Sequence, residues 1–170
     1  MTVRLSHLVP ETELPTGSGT GSPPPARCVG RGQTCALTGN EAVALAFKQV
    51  EPHLTAAYPI TPQTDLMHKF AEYVARGEVR TELVNVESEH SAMSAVLAAA
   101  AAGCRTFTAT SANGLAYMLE VYHNAGALRL PMVLSLVNRH IGGLLNMHND
   151  HGDAMLARNA AWIQMHAETC

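Results

Sequence analysis

From Leu37 onward, apolar positions follow two alternating spacings. Asn40 to Lys48 is alanine-rich with a helical pattern, and Pro62 to Ala75 sets Leu66, Phe70, Tyr73 and Val74 at helical intervals. Between them, Thr55 to Tyr58 predicts a short strand. Thr81 to Val86 predicts the next strand, Glu89 to Ala102 a helix stopped by Gly103, Arg105 to Thr110 an alternating strand, and Leu115 to Ala125 a helix. Met132 to Val137 reads as an apolar strand, Asp153 to Arg158 as a short helix and Trp162 to His166 as a last strand. Strands separated by helices imply right-handed crossovers and a parallel sheet. The expected fold is α/β, a parallel sheet flanked by helices over 35–170. Such a sheet needs both faces covered, and the chain stops directly after its last expected strand, so the domain is expected to be C-terminally incomplete.

Residues 1–34 stand apart. Thr16 to Pro25 is composed of Gly, Ser, Thr and Pro and ends in three prolines, which disfavours helix and sheet alike. The expectation is a flexible leader. Over all 170 residues, 47% are apolar and 15% charged, a globular composition. A formal charge of −3 without a Lys/Arg cluster argues against nucleic acid as a partner. No apolar run nears the ~20 residues of a membrane span, and no basic segment with an apolar core opens the chain. A cytoplasmic location is expected, and with it free thiols at Cys28, Cys35, Cys104 and Cys170, which show no C-x-x-C spacing. Nothing here supplies the four spaced thiolates of an iron–sulfur cluster.

Chemistry-bearing residues fall where strands give way to helices, the place where open α/β sheets bind ligands. Thr61-Pro62 is a helix-start signal, with threonine as N-cap and proline as first helical residue. An anion such as a substrate carboxylate fits there, and so does plain capping. Glu89 opens the alanine-rich helix, where a carboxylate also simply complements the helix dipole. Glu87 is its rival, with the opposite side-chain direction at a strand end. Arg139 closes the strand that begins at Met132; its guanidinium suits two-pronged binding of a carboxylate or a structural ion pair. Thr108 to Gly114 is another strand-to-helix loop, rich in hydroxyls, that lines a pocket or caps the next helix. His148 to Asp153 packs two imidazoles and two carboxylates into six residues, a density that suits turns and caps better than a metal.

Several motifs carry a family resemblance: Tyr58-Pro59-Ile60-Thr61-Pro62, the run Glu87-Ser88-Glu89-His90-Ser91-Ala92-Met93, the stretch Thr106 to Leu115, the turn Arg129-Leu130-Pro131, and the tail from Asp150-His151 through Arg158 to Trp162-Ile163-Gln164. From about Thr38 to Gln164 the chain resembles the thiamine-diphosphate-dependent 2-oxoacid:ferredoxin oxidoreductases, in particular the pyrimidine-binding domain of their alpha subunit. The tail is more similar to the pyruvate and branched-chain members than to the 2-oxoglutarate ones. It departs from the family pattern at Gly152 (usually Ser), Asn159 (usually Asp) and Ala161 (usually Gly).

The resemblance implies that Thr61 and Arg139 hold the substrate carboxylate and that Glu89, with Pro59 and Ile60 nearby, contacts the cofactor. A carboxylate against N1′ of the aminopyrimidine favours the imino tautomer, whose nitrogen takes the thiazolium proton. It further implies a hetero-oligomer. A thiamine-diphosphate-binding partner supplies Mg²⁺ and diphosphate contacts, because the Gly-Asp-Gly segment and later Asn that provide them are absent here. A ferredoxin-like subunit carries the iron–sulfur clusters, and ferredoxin or flavodoxin accepts the electrons. The implied reaction is oxidative decarboxylation of pyruvate with coenzyme A. A branched-chain 2-oxo acid as substrate, or an inactive truncated homologue persisting as an interaction module, are the alternatives.

Overall fold

The computed structural model describes residues 2–4, 34–142, 146, 148 and 150–167. Two short strands, β1 (Thr2–Arg4) and β2 (Thr34–Ala36), pair antiparallel. Most of the expected leader, 5–33, lies outside the described residues. Helix α1 (Gly39–Val50) follows, opened by a reciprocal cap in which the Thr38 hydroxyl accepts from the Glu41 amide and the Glu41 carboxylate accepts from the Thr38 amide. Then come β3 (Leu54–Ala57), α2 (Thr64–Ala75), β4 (Glu82–Asn85), α3 (Glu89–Ala101), β5 (Thr106–Thr110), α4 (Ala112–Leu128), β6 (Met132–Leu136) and the short α5 (Gly152–Leu156). All four strands expected between 54 and 137 are present within one residue of their expected ends.

The main sheet has the order β4-β3-β5-β6 and every pairing in it is parallel. The chain moves outward from β3 to β4, then crosses back to β5 and continues outward to β6. The connections leaving β3 and β5 therefore run in opposite directions, which opens a crevice at their carboxyl ends. Pairing between these two strands covers only Leu54 with Thr106 and Thr55 with Phe107. Side chains extend the seam: the Thr55 hydroxyl donates to the Phe107 carbonyl (3.0 Å) and the Thr108 hydroxyl to the Ala56 carbonyl (2.6 Å).

β5 is buried along its whole length, and its alternation sorts the two cores. Phe107 and Ala109 face α1 and α2, packing with Ala44, Leu66 and Phe70. The Phe107 ring stacks on Phe47 at 3.8 Å between centroids and takes an edge contact from Phe70. The opposite face of the sheet carries α3 and α4, through Ala92, Met93, Val96, Leu115, Met118 and Tyr122. Helix α3 is alanine-rich because it is wedged between this face and α4, where small side chains allow close approach.

Three sequence expectations need correction. Trp162 to His166 forms no strand. Trp162 instead stacks on Tyr122 (4.6 Å) and donates its indole N–H to the Tyr122 carbonyl, while the Gln164 side-chain Nε2 donates to the Ala154 carbonyl. These bonds tie the tail to α4 and α5, away from the sheet. Thr61-Pro62 does not start a helix: it lies in a turn with a cis peptide bond, and α2 begins only at Thr64. The Gln63 and Thr64 amides both donate to the Ile60 carbonyl, closing the turn before the helix. Cys35 is disulfide-bonded rather than free, whereas Cys104 is free. Disulfide formation depends on Cα separation, not on close spacing in sequence.

Ala161 adopts φ 58°, the left-handed region, at the position where the family pattern has glycine. An L-residue there costs about 1–2 kcal/mol relative to its ordinary conformations. Part of that is offset by the lower entropy of the unfolded alanine chain. Ala161→Gly should therefore stabilise the chain by about 0.5–1 kcal/mol, read as a rise in the urea midpoint without a change in slope. A lowered midpoint would show that the tail relaxes out of this conformation.

Candidate active site

Thr61 follows β3, Glu89 follows β4 and Arg139 follows β6, so the parallel sheet puts all three on its carboxyl edge. Thr61 and Arg139 meet directly. The Arg139 guanidinium reaches past the end of β5 and donates from Nη1 to the Thr61 backbone carbonyl at 2.8 Å. The contact uses the Thr61 backbone and leaves its side chain at an exposed position. Arg139 Nε is buried without a partner among the described residues. The turn that carries Thr61 is gripped from two further directions: the Asn40 side-chain Nδ2 donates to the Pro62 carbonyl (2.8 Å), and the Gln63 side-chain oxygen accepts from the Ile60 amide (3.2 Å). Pro59 is exposed and Ile60 half-buried on the same turn.

Glu89 is the first residue of α3, whose N-cap is Ser88, with the Ser88 hydroxyl accepting from the Ser91 amide. The side chain lies against the first turn of α4. A Cβ built on Gly114 would stand 2.9 Å from Glu89 Cγ, 3.0 Å from Glu89 Oε1 and 2.3 Å from Thr110 Oγ1. Only glycine allows that approach. Glu87, the rival carboxylate, is exposed and accepts a hydrogen bond from the Ser91 hydroxyl, which holds its carboxyl below the usual range. It serves the α3 cap, which leaves Glu89 as the carboxylate that faces α4.

The residue that organises the edge was missed in the sequence reading. Asp153 is fully buried, and its carboxylate accepts four hydrogen bonds. Oδ2 accepts from the Ala112 amide (3.0 Å) and the Arg139 amide (3.1 Å). Oδ1 accepts from the Asn138 side chain (2.7 Å) and the Ala154 amide (2.8 Å). Asp153 therefore supplies the anion at the N-terminus of α4, where Ser111, the residue in the N-cap position, makes no capping bond. Ala112 itself has φ 37°, a left-handed conformation costing about 1–2 kcal/mol, and the bond to Asp153 holds it there. The only sequence signal is the dense polar run from His148, which suits turns and caps better than a metal.

Asp150 of that run is also engaged in local bonds. Asp150 pairs with His140 (2.8 Å) and accepts from the Gly152 amide; that amide first, then the imidazole, holds its carboxyl below the usual range. The stabilisation from this depressed carboxyl is complete above the unfolded value near pH 4 and is lost as the pH falls through the lower folded value. Among the described residues no three His, Cys, Asp or Glu side chains gather into a metal-binding group.

A parallel α/β sheet with a carboxylate, a threonine-bearing turn and an arginine on its carboxyl edge defines a ligand-binding α/β domain of the doubly wound kind. The family described as "Pyruvate flavodoxin/ferredoxin oxidoreductase, thiamine diP-bdg" matches residues 45–170, and the chain belongs to it. It is 60% identical over 134 residues to the pyruvate synthase subunit PorA of Thermotoga maritima, covering 79% of this chain and 34% of that protein. It is 46% identical over 132 residues to the ketoisovalerate oxidoreductase subunit VorA of Pyrococcus furiosus, covering 78% and 34%. A solved 2-oxoglutarate:ferredoxin oxidoreductase from Magnetococcus marinus, with 2-oxoglutarate, coenzyme A and succinyl-CoA bound, superposes with TM-score 0.56 at 34% identity, covering 63% of this chain and 18% of that one. The chain spans about a third of the length of the curated relatives it matches. No helix among the described residues is long and apolar enough to cross a membrane.

Replacing Asp153 strips partners from buried N–H groups at three places. Each unsatisfied buried donor costs about 1–3 kcal/mol, so Asp153→Ala should destabilise the chain by at least about 3 kcal/mol. Chemical denaturation measures this. A loss under about 1 kcal/mol would mean that water replaces the carboxylate without penalty.

Proposed function

We propose that this chain is the pyrimidine-binding part of a 2-oxoacid:ferredoxin oxidoreductase that converts pyruvate and coenzyme A to acetyl-CoA, CO₂ and reduced ferredoxin. The observation that carries this reading is the Arg139–Thr61 contact across the end of β5, on the same edge as the Glu89 carboxylate. Thiamine diphosphate, when bound, supplies the nucleophilic carbon and the electron sink that decarboxylation of a 2-oxo acid needs. The residues present fit its aminopyrimidine end: a half-buried carboxylate at two helix N-termini, beside the unpartnered hydroxyl of Thr110. Glu89 would hold a proton for the aminopyrimidine ring, and Pro59 and Ile60 would line the approach.

Arg139 spends one of its five N–H donors on the Thr61 carbonyl and keeps the others for the substrate carboxylate. Anchored at its backbone by Asp153 and at its guanidinium by Thr61, it presents a pre-oriented charge at little entropic cost. The Thr61 hydroxyl adds a second, weaker donor. Mg²⁺ and the diphosphate would be held by a partner domain or subunit, and electrons would leave through a ferredoxin-like iron–sulfur partner to ferredoxin or flavodoxin. Pyruvate is preferred over a branched-chain 2-oxo acid because identity is higher to the pyruvate synthase subunit than to the ketoisovalerate one.

In the enzyme assembled with those partners, Glu89→Gln should lower kcat by about 10²-fold or more, as expected for loss of an acid–base group. Arg139→Lys keeps the charge and loses the two-pronged geometry, and should cut kcat/KM for pyruvate by about 10–100-fold. Thr61→Val should cost less, and the double variant should lose less than the product of the single losses, since both grip one carboxylate. Unchanged kcat/KM in Arg139→Lys would move the carboxylate elsewhere. Faster turnover of a branched-chain 2-oxo acid would overturn the choice of pyruvate.

A further inference from the structure

Strand β5 presents Thr106, Thr108 and Thr110 in a row toward α3 and α4, since the intervening Phe107 and Ala109 belong to the opposite core. All three are buried. The Thr106 hydroxyl donates to the Val96 carbonyl in α3, and the Thr108 hydroxyl to the Ala56 carbonyl in β3. Thr110, at the carboxyl end of the row, has a hydroxyl with no partner among the described residues. Buried polar groups in folded proteins are nearly always paired, so this exception requires a reason.

The reason lies across Gly114. The space that a Cβ at this position would occupy is bordered by the Thr110 hydroxyl on one side and by Glu89 Cγ and Oε1 on the other. Glycine at 114 thus brings a free donor on β5 up to a carboxylate on α3. These are the three heavy atoms nearest to that position. A threonine hydroxyl swings freely about its C–O bond and can donate to an ionised carboxylate while leaving the second carboxylate oxygen open.

We propose that Thr110 is a positioning residue for Glu89. The two groups border the same space without forming a hydrogen bond in this structure; a turn of the flexible Glu89 side chain lets the hydroxyl donate to Oε1, which would fix the carboxylate over the first turn of α4 and leave Oε2 for the cofactor's aminopyrimidine. The functional half of this statement rests on the role proposed above for Glu89. In this role Thr110 acts through Glu89 rather than on the substrate. Gly114 is its precondition, because any side chain there would displace both partners.

A double-mutant cycle on the 170-residue chain tests the pairing without cofactor. Thr110→Val removes the hydroxyl and keeps the shape, Glu89→Met removes the acceptor at similar length, and chemical denaturation gives the unfolding constants. Thr110→Val should shift that constant at least about threefold more in the native background than beside Glu89→Met. Thr110→Ser, which keeps the hydroxyl, should retain the coupling. The Glu89 carboxyl carbon resonance, identified by its loss in Glu89→Met, should move in Thr110→Val and return in Thr110→Ser. Additive losses, or a resonance indifferent to residue 110, would overturn the pairing. Should Thr110→Val fail to fold, the native chain decides. A slowly exchanging Thr110 hydroxyl proton close to the Glu89 γ-protons supports the pairing; its absence, or its persistence in Glu89→Met, overturns it. Full turnover of Glu89→Gln in the assembled enzyme would instead overturn the role of Glu89 and leave the pairing standing.

Discussion

The Asp153 carboxylate is the knot on which the carboxyl edge of the sheet depends. Its two oxygens hold the start of α4, the segment leaving β6 and its own short helix, three segments that share no backbone pairing with one another. The pull on each is different. At Ala112 it secures a left-handed backbone that lets the chain turn sharply from β5 into α4. At Asn138 and Arg139 it fixes the direction in which the chain leaves the sheet, and so aims the guanidinium back toward the β3 turn. A buried carboxylate without donors would be costly; with four N–H partners and a helix N-terminus, its charge becomes the glue.

Through that knot the edge behaves as one connected network. Asp153 holds the Arg139 backbone, Arg139 holds the Thr61 carbonyl, and the Thr61 turn is also held by Asn40 from α1 on the opposite face of the sheet. Glu89 joins from β4's side by packing on Gly114, two residues beyond the Ala112 amide that Asp153 holds. The end of β5 is therefore the centre of the site, although β5 contributes none of the three residues singled out for chemistry. Its value is positional. As a fully buried strand at the reversal of strand order, it has a neighbour on either side from which a loop rises.

Strand and helix order was legible because it rests on local periodicity, which the alternation in β5 and the spacing of Leu66 and Phe70 expressed strongly. The carboxyl-edge placement of Thr61, Glu89 and Arg139 followed from the parallel arrangement alone. What failed was everything decided by non-local partners. Trp162 to His166 has the composition of a strand, but the Trp162 ring found Tyr122, and one stacked indole with its N–H satisfied outweighed a sheet edge. Thr61-Pro62 has the composition of a helix start, but the Ile60 carbonyl took both following amides and deferred the helix to Thr64. Asp153 was hidden among polar neighbours because burial cannot be seen in a run of residues that are mostly exposed.

The same distinction explains why the loop from Thr108 to Gly114 reads in sequence either as a pocket lining or as a helix cap. A hydroxyl-rich strand end followed by a glycine suggests capping, and Ser111 occupies the position a cap would take. Yet Ser111 makes no capping bond, and Asp153, 41 residues on from Ala112, does that work. Once a distant carboxylate caps the helix, the local hydroxyls are released from it. Ser111 and Thr110 are then left buried and unpartnered beside α4, and Thr110 borders Glu89. A polar group freed from a structural duty within the core is where a protein can afford a functional one, and here the freeing is traceable to a single side chain.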